Sequence, residues 1–253
     1  MSHARRTMIA AAVAVTCSVT GAYACTQADE RAAEAAPPTA GTAQAQTTPV
    51  ELLLPGNEYH QADVPPNAPP TWWVLHRLAG DPVLEMLPVA VTPVRGCGDE
   101  DQGALTGRAV TVPDARDPIV LVRGGQDLAA GPVRTAFVDD AGTGEAPRVE
   151  TQWGDRTVIV HHVTVEPVGD QPGRYRIELT VGDERRQLHA DQWHGDGQWR
   201  VRWIGDLNRD GWPDLLLDAS YKYSVSTTRL FLSRATDAQV DFPEVARFEH
   251  TAC

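Results

Sequence analysis

Residues 173–193 read "GRYRIELTVGDERRQLHADQW", and this stretch limits what the chain can fold into more than any other. Tyr175, Ile177, Leu179 and Val181 recur at every second position, with Arg174, Arg176, Glu178 and Thr180 between them. A period of two sends the first set to one face of a strand and the second set to the other, whereas a helical period would mix them. Gly182-Asp183 interrupts the pattern where a hairpin must turn. Other runs share this character: "PIVLVRG" at 118–124, "GPVRTAFVDD" at 131–140, "DRTVIVHHVTVEP" at 155–167, "TTRLFLS" at 227–233 and "EVARFEH" at 244–250. In "QWRVRWIG" at 198–205, alternation predicts Trp199, Val201 and Trp203 on one face. No stretch carries the apolar spacing of an amphipathic helix over three turns. The expected fold class is all-β, mainly antiparallel, as a sandwich or meander.

Upstream, "VELLLPGNEYH" at 50–60 opens with a short strand, and "QADVPPNAPP" at 61–70 is a proline-rich loop. "TWWVLHRL" at 71–78 reads as a strand or a short helix. "EMLPVAVTPV" at 85–94 is broken by Pro88 and Pro93, which suits an edge strand, because proline cannot donate to a ladder on both sides.

The first 24 residues have the pattern of an export signal. Arg5 and Arg6 precede the small apolar run Met8–Val19, and Ala22-Tyr23-Ala24 fits a cleavage site directly before Cys25. Two export routes fit: release after Ala24 as a secreted soluble protein, or acylation of Cys25 as a bacterial lipoprotein. Residues 25–49 are rich in Ala, Thr, Pro and Gln, with no Leu, Ile, aromatic or Val residue, and are expected to remain a disordered tether. The folded, β-rich domain is then expected over 50–253.

Cysteine arithmetic bears on the choice of route. Of Cys17, Cys25, Cys97 and Cys253, the first leaves with the signal. A lipid on Cys25 leaves Cys97 and Cys253 as an even pair, suited to a disulfide in an oxidising compartment. The expectation is an exported, membrane-anchored protein, periplasmic or on the outer surface. The net charge of −12 and pI near 5.0 argue against nucleic acid as a partner, since that role favours a basic face.

One segment departs from the strand-and-turn rhythm. In "IGDLNRDGWPDLLLDA" at 204–219, Asp206, Asn208, Asp210 and Asp214 stand at positions 1, 3, 5 and 9 of a loop, with Gly211 at position 6. Trp212 at position 7 adds a backbone carbonyl. Such an oxygen-only, multi-carboxylate set suits calcium, which accepts oxygen ligands at about 2.3–2.6 Å. Magnesium prefers stricter octahedral geometry and keeps its waters, and zinc wants His or Cys. An EF-hand is excluded: position 12 is Leu217 rather than Glu, and strand signals rather than helices flank the loop.

The loop resembles that of the FG-GAP and VCBS-type repeat family, whose core is Asp-x-Asn/Asp-x-Asp-Gly-x-x-Asp before an apolar strand. The resemblance covers about 203–232. It implies β structure and a Ca2+ ion held by Asp206, Asn208, Asp210, the Trp212 carbonyl and Asp214. Family members stack such repeats into propellers of about 4–8 blades. This chain carries one motif, has Asp218-Ala219-Ser220 where the family has Gly-Ala-Pro, and is not expected to form a full propeller.

The remaining candidates are weaker. His161 and His162 are neighbours on a strand and point to opposite faces, so they do not share a metal through that strand. His189, Asp191 and His194 lack a fixed third ligand. Gly-x-Ser-x-Gly, His-Glu-x-x-His and phosphate-loop motifs are absent from the sequence. The expectation is therefore a non-catalytic binding or structural module, monomeric, with an envelope protein or glycan as its partner. The alternatives are a secreted hydrolase whose site the sequence hides, and a carbohydrate-binding module using Trp72, Trp73, Trp193, Trp199, Trp203 and Trp212.

Overall fold

The computed structural model describes residues 49–64, 68–96, 105–125, 128–140, 142–165, 173–193, 197–222, 224–236 and 239–251. The signal, Cys25, Cys97, Cys253 and His194, and all of the tether except Pro49, lie outside these residues. The first eight strands are β1 (Glu51–Leu53), β2 (Gly56–His60), β3 (Thr71–Leu78), β4 (Asp81–Pro88), β5 (Ala90–Val94), β6 (Gly107–Thr111), β7 (Pro118–Arg123) and β8 (Gly131–Pro132). β9 (Thr135–Val138) and a 3-10 turn at Thr143–Glu145 lead to β10 (Arg148–Trp153), β11 (Arg156–Val165), β12 (Gly173–Val181) and β13 (Glu184–Trp193). β14 (Gln198–Gly205), β15 (Asp214–Ser220), β16 (Val225–Phe231), β17 (Arg234–Ala235), β18 (Val240–Asp241) and β19 (Glu244–Thr251) complete the chain.

These strands form five sheets, ordered β1-β7-β3-β4-β8, β2-β6-β5, β10-β11-β12-β13, β19-β16-β15-β14-β9 and β17-β18. All pairings between described strands are antiparallel. The fold is thus all-β, and every sheet keeps two edges rather than closing into a barrel or propeller.

The β19-to-β9 sheet is the middle layer. All seven residues of β15 are buried. Leu216 packs with Val74, Leu75 and Leu121 of the β3/β7 sheet. Leu215 and Leu217 pack with Val158, Val160, Ile177 and Leu179 of the β11/β12 sheet. A strand covered on both faces cannot alternate apolar with polar, which accounts for the unbroken Leu-Leu-Leu. The hairpin at 173–193 keeps the expected alternation: Tyr175, Ile177, Leu179 and Val181 are buried, and Gly182 turns with φ of 59°.

Three expectations need correction. Trp199, Val201 and Trp203 do not share a face. Val201 pairs with Leu217 and Trp203 with Leu216, so Arg202 is an extra residue opposite β15. This bulge turns Trp203 into the first core while Val201 stays in the second. The segment at 131–140 is split between two sheets: β8 pairs with β4, and β9 pairs with β14. The Val133 amide donates to Pro82 O, while the next carbonyl, of Arg134, accepts from the Asp206 amide. Finally, the run at 85–94 is two strands. Pro88 ends β4, which lies inside its sheet, and Pro93 lies on β5, at an edge.

Candidate metal centre

β14 and β15 come together as Gly205 pairs with Asp214, and the acidic loop spans the gap between them. Leu207 is fully buried and plugs the loop into the first core. Arg209 and Gly211 are both left-handed, with φ of 63° and 88°. A Cβ at Gly211 would meet nothing within 4 Å, so its backbone angle, not its space, is what favours glycine. Arg209 is held in the same region by its guanidinium, which donates to Ala129 O at 2.9 Å and Ala130 O at 2.7 Å.

Asp214 is the most enclosed of the four oxygen-bearing side chains. Its Oδ1 accepts the Ser233 amide at 2.6 Å and the Ser233 hydroxyl at 2.9 Å. Its Oδ2 accepts the amides of Leu207 at 2.6 Å and Asn208 at 3.3 Å. With about four acceptor sites on a carboxylate, Asp214 is saturated in this arrangement. Burial pushes its carboxyl up to about 7, against the pull of these donors.

Asp206 differs. Its Oδ2 accepts the Gly211 amide at 3.1 Å, but Oδ1 is buried and has no hydrogen-bond partner among the described residues. Burial also raises this carboxyl above its ordinary range and the charge of Asp210 adds to it, while the amides of Gly211, Arg209 and Asp210, all aimed at the carboxylate, oppose the shift. Asn208 Oδ1 accepts the Asp210 amide at 3.2 Å, and its Nδ2 donates to Ser233 O at 2.7 Å. Asp210 Oδ1 accepts the Trp212 amide and the Ser233 hydroxyl, each at 2.9 Å. The Trp153 indole N–H donates to Gly211 O at 3.0 Å, and the Arg156 guanidinium lies 4.0 Å over the Trp212 ring.

All five positions read from the sequence thus belong to one hairpin loop. Among the described residues, no three His, Cys, Asp or Glu side chains gather at metal-holding spacing. The buried Asp206 oxygen is the feature a hard cation would satisfy; Asn208, Asp210 and Trp212 lie in the same loop, which Asp214 anchors. The sequence reading missed Ser233, which ties Asn208, Asp210 and Asp214 together from the end of β16.

The other sequence candidates have local partners. His162 is buried and stacks on Trp199 at 4.9 Å, while His161 is half-exposed. His189 hydrogen-bonds Tyr175 at 3.2 Å, and Asp191 Oδ1 accepts the Gln192 amide at 2.7 Å. Trp203 is fully buried and donates to Thr135 Oγ1 at 3.1 Å. Compared with known proteins, the chain matches no family model, no curated protein and no solved structure.

Proposed function

We propose that the 206–214 loop is a structural calcium site in an exported, lipid-anchored envelope protein that works as a non-catalytic binding or structural module. The observation that carries the metal reading is Asp206 Oδ1, a carboxylate oxygen that is buried and unpartnered among the described residues. Leaving such a group unsatisfied costs about 1–3 kcal/mol, more if it is charged, and a cation beside it removes that cost. The 1-3-5-9 spacing of oxygen side chains and the resemblance to the FG-GAP and VCBS-type loop support calcium over other ions. The ion would hold the β14–β15 turn against the end of β16. Its role is structural because it ties elements of one sheet together.

The test is thermal unfolding in EDTA and in millimolar calcium. Calcium is expected to raise the Tm, and Asp210→Ala to abolish the rise; because Asp210 also accepts the Trp212 amide and the Ser233 hydroxyl, the rise is measured against the variant's own metal-free Tm. A Tm unmoved by calcium refutes the metal reading. Anchoring through Cys25 is tested by labelling with radioactive palmitate, which Cys25→Ala should eliminate.

A further inference from the structure

A cavity of about 430 Å³ opens at the rim of the first core. It lies within the size range of small-molecule sites, about 300–1,000 Å³. Its walls come from distant parts of the chain: the residues leading into β1, the end of β7, the residues after β16 and the start of β19.

One side of the cavity is apolar. Val50, Val122, Leu128, Leu232 and Val245 line it, and all five belong to the first core or pack against it. Two glycines shape this wall. Gly124 and Gly125 are both left-handed, with φ of 77° and 79°. A Cβ at Gly124 would fall 2.3 Å from Pro49 O, so the chain entering β1 lies directly on this backbone. A Cβ at Gly125 would lie 3.6 Å from Val50 Cγ2 and 4.0 Å from Leu128 Cγ. Those two side chains therefore converge where the glycine leaves space.

The polar groups on the other side are committed, with one exception. Asn208 gives its Nδ2 to Ser233 O and takes the Asp210 amide, and the Ser233 hydroxyl lies on Asp210 and Asp214. Glu244 accepts Nη1 of Arg229 at 2.8 Å and Nε of Arg247 at 3.0 Å. Arg234 is exposed, and among the described residues its guanidinium has neither an ion pair nor a hydrogen bond. Asp241, opposite it on β18, accepts Nε2 of Gln239 instead, at 3.1 Å. The uncommitted charge on the wall is thus a cation. A guanidinium matches a carboxylate with two parallel N–H···O bonds. A molecule with an apolar body and one carboxylate satisfies both sides at once.

We infer that this cavity binds an aliphatic carboxylate, a fatty acid whose chain lies against Val50, Leu128 and Val245 and whose head meets Arg234. The inference rests on the reading of the chain as a non-catalytic binding module, and it names the ligand class. It needs neither the calcium ion nor the anchor, so its failure and theirs are read separately. The test is titration calorimetry on the Cys25→Ala chain, which takes no lipid, in EDTA and without detergent. The probes are decanoate, hexanoate and decanol. Decanoate should bind at least about tenfold more tightly than hexanoate, because burying each added methylene is worth roughly fourfold. It should also bind more tightly than decanol, by about fivefold, the strength of an exposed ion pair. Arg234→Gln, at an exposed position without a described partner, should remove that preference and leave decanol unchanged. Leu128→Ala should weaken both ligands by roughly threefold or more. Absence of decanoate binding overturns the inference, as does decanol binding as tightly as decanoate, which would give the cavity to an uncharged ligand. Arg234→Gln binding decanoate as the parent does would overturn it too.

Discussion

Ser233 and Asp214, 19 positions apart, are joined twice: the amide and the hydroxyl of Ser233 both donate to the same carboxylate oxygen, Oδ1. The hydroxyl also reaches Asp210 at 2.9 Å. Ser233→Ala removes the one hydroxyl proton that Asp214 and Asp210 share and keeps the amide. Hydrogen bonds to charged groups are worth about 1.5–3 kcal/mol, so urea unfolding should show a loss of roughly that size. The variant should also lessen stabilisation by calcium, because Asp210 loses a fixed partner. A variant as stable as the parent would mean that the serine only fills space.

Gly205 lies under the Trp203 indole. A Cβ there would fall 2.1 Å from Trp203 Cζ2 and 2.7 Å from Arg134 O. Trp203 is fully buried and its indole is tied to Thr135 Oγ1 at 3.1 Å. Gly205→Ala should therefore destabilise by about 3 kcal/mol or slightly more, the upper end for overpacking. Gly211→Ala is strained by its backbone angle alone and should cost less, about 1 kcal/mol. Chemical denaturation of the two variants side by side checks the order.

Acid should erode the contribution of His162 in a defined window, against the opposite contribution of the raised carboxyls of Asp206 and Asp214. Burial against Trp199 and Tyr175, and then the charge of His161, lower the His162 pKa from the ordinary 6.5 to about 4. Burial lowers His189 in the same direction. Between pH 6.5 and 4 the unfolded chain binds a proton at position 162 that the folded chain refuses, so the contribution of His162 to stability falls as pH falls through that window. His162→Phe should flatten this slope in a plot of Tm against pH. An identical slope in parent and variant would place the acid sensitivity elsewhere.

The strands were largely legible because alternation survives wherever one face meets a core and the other meets water. Tyr175, Ile177, Leu179 and Val181 show this most clearly. Leu215–Leu217 were legible for the opposite reason, since a strand covered on both faces is apolar throughout. The acidic loop could be read from spacing alone, because its ligand candidates sit within nine positions of one another. What escaped notice depended on contacts distant in sequence. Ser233 carries no mark that ties it to Asp214. The bulge at Arg202 leaves composition unchanged and shifts only the phase, so alternation places Trp203 on the face of Val201 rather than opposite it.

The step from Val133 to Arg134 has a consequence for how the layers come apart. The Val133 amide donates to Pro82 O in the β3/β4 sheet, and the Arg134 carbonyl accepts the Asp206 amide in the middle sheet. The Arg134 guanidinium lies 3.9 Å over Trp153, on the third layer. The chain is thus sewn through all three layers within two residues, like a rivet through stacked plates. No layer can peel away while this stitch holds, and once it fails the acidic loop loses the carbonyl that pins its first residue. Loosening of the layers and loss of the loop are therefore one event rather than two.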